Sequence, residues 1–237
     1  MNVAVIPARA GSKRIPRKNI RTICGKPAIE LTIRELIQSG VFEKVFVSTD
    51  DDEIASISEK QGAQIIYRYG PHLAGDTAPT SIVMSHALTW IESKSIDPEF
   101  VACVYPLSVL LTKSHYQRLF DVWKTSQLPQ DSYLVFSALE YAHPIQRSFT
   151  IEGSIAHWTS TDLLTLRTQE CTSHFHDAGQ FYGASKNFFK NFDRWFESWS
   201  IPIILNRDEA IDVDTIADWS MLEALYVSKN RSHLCYK

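Results

Sequence analysis

The sequence predicts an α/β fold in which helices cover both faces of a mainly parallel sheet. Through the first 137 residues, short apolar runs suited to buried strands alternate with longer segments of helical pattern. This βαβα order produces parallel strands joined by helical crossovers. From about residue 143 to 182 the helical pattern disappears, which indicates an antiparallel excursion with a turn at Glu152-Gly153. We therefore expect one domain over residues 1–237, with an inserted antiparallel subdomain at about 140–183.

Local patterns place the individual elements. Apolar runs predict strands over residues 3–6, 44–48, 63–67, 100–105, 133–137 and 201–205. Helical periodicity predicts helices over residues 27–39, 51–62, 80–93, 113–124 and 215–228. Pro27 suits a first helical turn, Gly40 a helix end, and Asp50 a cap for the second helix. The last helix has four apolar residues on one face, which we expect to be buried: Ile216, Trp219, Leu222 and Tyr226.

Composition excludes several classes of function. The 237 residues are 44% hydrophobic and 22% charged, which is typical of a soluble globular protein. A net charge of −3 gives no global attraction for nucleic acid. No run of about 18 apolar residues predicts a membrane span, and the N-terminal apolar run is too short for a signal peptide. The four scattered cysteines suggest free thiols, so we expect a cytoplasmic protein.

The most informative segment is the basic loop that follows the first predicted strand. It reads IPARAGSKRIPRKN over residues 6–19 and holds five cationic residues, which are Arg9, Lys13, Arg14, Arg17 and Lys18. Open α/β sheets bind ligands at this carboxyl edge. Gly11 and Ser12 allow the backbone to approach an anion closely. Neither a dinucleotide-binding glycine motif nor a Walker motif is present, so the loop is either a different phosphate site or a solvated basic turn.

A pair of carboxylates precedes the last predicted helix. In the segment AIDVDT, alternation along a strand end would place Asp212 and Asp214 on the same side. Two neighbouring carboxylates repel each other unless a cation lies between them, and Mg²⁺ held by one or two carboxylates and substrate phosphates satisfies this. Alternatively, Asp214 caps the helix and Asp212 is solvated.

The basic loop resembles the signature of the cytidylyltransferases that activate sialic-acid-type sugars. Arg14 stands where the sialic acid branch usually has glycine, so GSKRIPRKN is most similar to the pseudaminic acid branch. The resemblance implies a Rossmann-like, GT-A-like nucleotidyltransferase that transfers CMP from CTP to a nonulosonic acid and releases pyrophosphate. It implies catalytic roles for Arg9, Lys13, Lys18 and Asp214, and CTP contacts from Ala8, Arg9, Gly11, Ser12, Lys13, Lys18, Asn19, Thr80, Ser81, Tyr105 and Pro106.

Further segments fit the same resemblance. The sequence IDVDT resembles the family's metal motif, which implies that Asp212 and Asp214 bind Mg²⁺. Residues 47–51 and 73–77 resemble the family's second strand and nucleotide-side loop, although their Asp and Ser/Thr residues also suit helix capping. Arg68 is either a sugar or phosphate contact or a surface residue.

The excursion carries the expected sugar contacts. Its segments PIQR, RTQE and HDAGQFY resemble the pseudaminic acid branch, in which Arg147 and Arg167 are candidates to bind the sugar carboxylate. Gln180 and Tyr182 are expected to line the sugar pocket. His174 and His176 also suit a zinc site, but no third ligand at a suitable spacing is evident.

Three departures from the family pattern leave the acceptor sugar open. Leu107 replaces a threonine and Val109 a proline in the loop that borders the nucleotide in this family. Gly183 replaces a tryptophan, which is expected either to enlarge the sugar pocket or to change its choice of sugar. The alternatives are therefore legionaminic or N-acetylneuraminic acid as acceptor, or a catalytically silent nucleotide-binding homologue. The resemblance also implies a homodimer, in which the partner subunit covers the excursion and closes part of the sugar pocket.

Overall fold

The computed structural model describes residues 1–12, 14–68, 73, 78–161, 164–191, 195–197 and 199–230. Eleven strands lie within these ranges. They are β1 (Asn2–Pro7), β2 (Thr22–Ile23), β3 (Lys26–Pro27), β4 (Lys44–Thr49), β5 (Gln64–Tyr67), β6 (Phe100–Val104), β7 (Tyr133–Glu140), β8 (Phe149–Glu152), β9 (Ile155–Trp158), β10 (Phe175–Ser185) and β11 (Trp199–Ile204). Six α-helices are described, namely α1 (Ala28–Gln38), α2 (Asp52–Lys60), α3 (Thr80–Ser93), α4 (Lys113–Thr125), α5 (Lys186–Asn191) and α6 (Ile216–Lys229).

Seven strands form one sheet in the order β11-β7-β10-β6-β1-β4-β5. The β1, β4, β5 and β6 strands pair in parallel, as do β7 and β11. The β10 strand is antiparallel to both of its neighbours, β6 and β7. The prediction of a mainly parallel sheet is confirmed, and the final part of the predicted excursion lies inside this sheet as β10.

Helices cover both faces of the sheet, as predicted, because side chains of each strand alternate between them. In β1, Ala4 and Ile6 pack in one core with residues of α1 and α4. Val3 and Val5 pack in a second core with residues of α3 and α5. None of the helices among the described residues is both long enough and apolar enough to cross a membrane.

The cap of α2 differs from the prediction by one residue. Asp51, not Asp50, accepts a hydrogen bond from the backbone N–H of Ile54 at 2.8 Å. The reason is that β4 continues to Thr49, which leaves Asp50 at the carboxyl edge of the sheet. Asp50 instead accepts a hydrogen bond from the Ala10 backbone N–H at 3.0 Å, so it holds the basic loop.

The buried face of α6 is shorter than predicted. Trp219 and Leu222 are buried with Val109 and Val213 in a third core. Ile216, which was expected on the same buried face, is 53% exposed. It is the first helical residue after the Thr215 cap, and the packed part of the helix begins one turn later.

Strands β8 and β9 form a separate two-stranded antiparallel sheet. Gly153, with φ of 61°, occupies the predicted turn in the left-handed region that favours glycine. Phe149 lies opposite Trp158, and Ile151 follows on the same face. All three side chains are exposed, Ile151 by 70%. We call Phe149, Ile151 and Trp158 the hairpin face.

Gly183 makes room in the core, not in a ligand pocket. A Cβ atom at this position would lie 2.7 Å from Cζ of Phe100 and 2.8 Å from Cδ1 of Leu119. Both side chains are fully buried, so neither can turn out into solvent. The expectation that the missing tryptophan enlarges the sugar pocket is therefore wrong, because Phe100 and Leu119 fill the space next to the Gly183 backbone.

We predict that Gly183→Ala lowers the free energy of unfolding by about 1–3 kcal/mol, because it overpacks this point. The measurement is the urea midpoint followed by circular dichroism. Combining Gly183→Ala with Phe100→Leu should cost less than the sum of the two single changes, since the smaller side chain leaves space for the new methyl group. Additive costs would contradict the proposed packing.

Candidate active site

A cavity of about 340 Å³ opens where the basic loop meets the segment before α6. Its lining comes from parts of the chain that are far apart in sequence. The lining residues are Pro7, Arg9, Ser12, Lys18, Asn19, Arg68, Ala78, Thr80, Val83, Tyr105, Pro106, Leu107, Gly179, Gln180, Ile211, Asp212 and Val213. Pro7 ends β1, and Tyr105 follows β6, so the cavity lies at the carboxyl edge of the sheet.

The basic loop is held against the turn between β4 and α2. The Ala8 backbone N–H donates to the Ser48 carbonyl at 2.9 Å, in addition to the bond between Ala10 and Asp50. Arg17, with φ of 57°, forms an ion pair with Asp51 at 2.7 Å. Because these contacts are all within the protein, they can hold the described part of the loop without a ligand.

Lys18 and Asn19 extend from the end of this loop into the cavity. The Asn19 side chain donates to the Arg9 carbonyl at 2.9 Å, and Nζ of Lys18 donates to the Val213 carbonyl at 2.7 Å. Burial lowers the pKa of Lys18, while the nearby Asp214 and Asp212 carboxylates favour its charged form. A half-buried ammonium group between two segments is well placed to meet a ligand phosphate.

The segment that carries the two aspartates is irregular, so the predicted strand end is wrong. Its backbone N–H groups serve a helix cap instead of a strand ladder. Those of Asp214 and Thr215 donate to the Asp218 carboxylate at 3.1 and 2.7 Å. The residue that caps α6 is Thr215, so the alternative in which Asp214 is the cap is also wrong.

Asp212 and Asp214 nevertheless both lie close to Lys18. Asp212 lines the main cavity, and Asp214 lines a small adjoining cleft together with Arg14. The Asp214 carboxylate already has a cationic partner, since Nη1 of Arg14 lies 2.7 Å from its Oδ2. Two carboxylates beside a basic loop fit the oxygen ligands of Mg²⁺, which usually takes its remaining ligands from water and substrate phosphates.

No group of three His, Cys, Asp or Glu side chains suited to a metal occurs in the described part of the chain. The two histidines considered for zinc make other contacts. Nδ1 of His174 lies 2.9 Å from the Thr172 carbonyl, and Nδ1 of His176 lies 2.9 Å from that of Asp177. The carboxylate pair is therefore the better candidate metal site.

Arg68 is a cavity residue and not a surface residue. It is only 5% exposed, and Nη1 donates to the Leu73 carbonyl at 3.3 Å. Its Nε and Nη2 atoms have no hydrogen-bond partner among the described residues, although Nη2 lies 4.0 Å from Asp50. Burial lowers the pKa of this guanidinium. Buried donors without partners favour an anionic or carbonyl ligand in the cavity.

Hydroxyl groups form the opposite wall. The Thr80 and Tyr105 hydroxyls are 2.9 Å apart, and both residues line the cavity. Burial raises the pKa of Tyr105 to about 12, so this hydroxyl stays protonated at neutral pH. The Tyr182 ring meets Tyr105 edge-on, and its hydroxyl donates to Asp177 at 2.6 Å. Tyr182 thus contacts the cavity wall from behind, whereas Gln180 lines the cavity directly.

Leu107 and Val109, the two departures from the family pattern after β6, have different consequences. Leu107 lines the cavity with an apolar side chain. Val109 is buried beside Val213 and Trp219, so it supports the aspartate segment from the core. Neither residue can supply the threonine hydroxyl that the family pattern contains.

The structure does not bring every predicted residue to this cavity. Ala8 and Gly11 belong to the loop, Ser81 lies in α3, and none of the three is a lining residue. Arg147 and Arg167 lie in the excursion, where the Arg147 guanidinium donates to the Leu166 carbonyl. Lys13 and residues 74–77 lie outside the described residues.

Comparison with known proteins identifies the family of this chain. The family model described as cytidylyltransferase matches residues 3–198. A pseudaminic acid cytidylyltransferase of Campylobacter jejuni is 34% identical over 98% of this chain and 98% of its own length. A CMP-N,N'-diacetyllegionaminic acid synthase of Legionella pneumophila is 28% identical, covering 94% of this chain and 95% of its own.

Solved structures show the same fold at low sequence identity. A CMP:2-keto-3-deoxy-manno-octonic acid synthetase complexed with CTP aligns with a TM-score of 0.66 at 16% identity. The alignment covers 96% of this chain and 99% of that one. With a family model that spans most of its length and a full-length relative above 30% identity, this chain belongs to the cytidylyltransferase family.

Proposed function

We propose that this chain transfers CMP from CTP to a nonulosonic acid, pseudaminic acid being the favoured acceptor, and releases pyrophosphate. The observation that carries the proposal is the convergence of the basic loop and the aspartate segment on one cavity. The full-length similarity to a pseudaminic acid cytidylyltransferase supports the choice of sugar. Because CTP is a cytoplasmic nucleotide, we also propose that the protein acts in the cytoplasm.

CTP would lie with its triphosphate against the basic loop. Arg9, Lys18 and Asn19 supply charge and hydrogen-bond donors there, and the backbone at Gly11 and Ser12 allows close approach. We assign Lys13 the same role by its place in the loop. The nucleoside would lie against the opposite wall, where Thr80, Tyr105 and Pro106 line the cavity. Two further predicted contacts are next to lining residues in sequence, since Ser81 follows Thr80 and Ala8 follows Pro7. Arg68 faces the same space.

In the proposed reaction the anomeric hydroxyl oxygen of the sugar attacks the α-phosphorus of CTP. A phosphorus–oxygen bond forms to the sugar while the hydroxyl proton passes to solvent, the bond to the β-phosphate oxygen breaks, and pyrophosphate leaves. Arg9, Lys13 and Lys18 would stabilise the negative charge that develops on the departing pyrophosphate. Asp212 and Asp214 would hold Mg²⁺, which when bound supplies charge neutralisation and lowers the pKa of the hydroxyl.

Acceptor choice is tested by measuring pyrophosphate release from CTP with a panel of acids. We expect the highest kcat/KM with pseudaminic acid. Faster release with legionaminic or N-acetylneuraminic acid would instead assign the acceptor to that sugar. CTP binding without release for any acid would contradict enzymatic activity and favour a silent homologue.

We propose that the sugar site extends beyond the cavity of one chain. Gln180 lines it and Tyr182 supports it, but Arg147 and Arg167 lie in the excursion. We propose that a second copy of the chain covers the hairpin face and completes this side of the pocket. The exposed apolar side chains of Phe149, Ile151 and Trp158 support such an interface.

We predict that Lys18→Met weakens CTP binding by about 10- to 100-fold, because a charge-assisted contact to phosphate is lost. Isothermal titration calorimetry measures the effect. Lys26→Met is the matched control, since Lys26 is an exposed lysine paired with Glu30 at 3.8 Å. Equal CTP affinity of the Lys18 variant and the control would contradict the assignment.

We predict that Asp214→Asn or Asp212→Asn lowers kcat/KM by about 100-fold or more while leaving the urea midpoint close to that of the wild type. Asp208→Asn is the control, because this exposed aspartate pairs with Lys229 at 3.2 Å. A folded Asp214 variant with near-normal turnover would rule out the metal assignment.

We predict that Ile151→Glu converts a dimer into a monomer of 27.0 kDa, because it places a charge at the centre of the hairpin face. Sedimentation equilibrium gives the mass. Met221→Glu, which changes a 59% exposed residue on α6, should leave the dimer intact. A wild-type protein that is monomeric at working concentration would refute the interface.

A further inference from the structure

One ion pair at the candidate metal site has no role in the function proposed above. Nη1 of Arg14 lies 2.7 Å from Oδ2 of Asp214, and both groups line the small cleft beside the main cavity. The side chains are 71% and 37% exposed, so water surrounds much of the pair. The pair therefore contributes little to the stability of the fold.

The ion pair is important for the proposed metal binding because of its position, although its interaction energy is small. Asp214 is the carboxylate that we assign to Mg²⁺, and a guanidinium in contact with it repels a divalent cation. The same contact satisfies the charge of Asp214 when no metal is present. Arg14 is thus a competitor for the oxygen that the metal would use.

The contact is not needed to join the two segments. The basic loop is already tied to the aspartate segment by the hydrogen bond from Lys18 to the Val213 carbonyl. It is also held on its other side by Asp50 and Asp51. Removing the Arg14 charge should therefore leave the shape of the cleft unchanged.

We propose that Arg14 is a positioning residue that occupies Asp214 in the metal-free protein and must be displaced by the incoming divalent cation. Arg14 thereby sets the metal affinity of the site and keeps it low until the substrate phosphates contribute their own ligands. The displaced guanidinium is then free to face the triphosphate. This inference rests on the proposed metal site at Asp214.

The test uses Mn²⁺ as the probe and measures its binding to the full-length protein without nucleotide or sugar, by electron paramagnetic resonance of the free ion. We expect Arg14→Gln to bind Mn²⁺ about fivefold more tightly than the wild type, the gain corresponding to loss of one exposed ion pair. Arg14→Lys retains the competing charge and should stay within about twofold of the wild type. Arg34→Gln removes an equal charge away from the site and should not change the affinity.

Asp214→Asn separates failure of the inference from failure of the metal site. If this variant loses Mn²⁺ binding while Arg14→Gln binds as the wild type does, the metal site stands and the inference is overturned. Weaker Mn²⁺ binding by a folded Arg14→Gln variant would also overturn it, because Arg14 would then support Asp214 instead of competing for it. If Asp214→Asn binds Mn²⁺ normally, the metal assignment itself fails, and the inference with it.

Discussion

The hydrogen bond from Lys18 to the Val213 carbonyl joins two segments that lie 195 residues apart in sequence. It connects the basic loop after β1 to the irregular segment that carries Asp212 and Asp214, and it places the ammonium group close to both carboxylates at the cavity wall. Cationic side chains of the basic loop and carboxylates of the aspartate segment come together at this point. Either set on its own would be an ordinary group of solvent-exposed charges. The rest of the fold holds the two segments in place. The loop is fixed by Asp50 and Arg17, and the aspartate segment is fixed by the Thr215–Asp218 capping box and the core around Val213.

Local sequence pattern predicts most of the fold, because the spacing of apolar residues along a strand or helix determines which of its faces is buried. The α3 helix spans the predicted residues 80–93, and β1 extends the predicted strand by one residue at each end. The errors arise where a neighbouring element decides the outcome. Asp50 could not be distinguished from Asp51 as a cap, because the end of β4 depends on its pairing with β1 and β5. The antiparallel direction of β10 agrees with the predicted excursion, but its position between β6 and β7 is a property of the whole sheet, which periodicity within one segment does not reveal.

In the candidate site, too, features set by local sequence could be predicted, and features set by neighbouring elements could not. The basic loop could be predicted because charge density after a buried strand is visible in sequence, and Arg9, Ser12, Lys18 and Asn19 do line the cavity. Arg68 could not be assigned, because its place in the cavity and its contacts with Asp50 and Leu73 appear only when separate segments come together. Gly183 was misinterpreted for a similar reason, since the side chains that occupy its space come from β6 and α4. The ion pair between Arg14 and Asp214 is also invisible in the sequence, because the two residues meet only when the site assembles.

In the proposed function, one cavity holds the triphosphate of CTP against the basic loop, with its α-phosphate facing the aspartate segment. A crystal structure of the protein with a CTP analogue that cannot be cleaved between the α- and β-phosphates tests this most directly. We expect the phosphates to contact Arg9 and Lys18, with Asp212 and Asp214 on the α-phosphate side. A nucleotide bound in the reverse direction, or away from the basic loop, would contradict it.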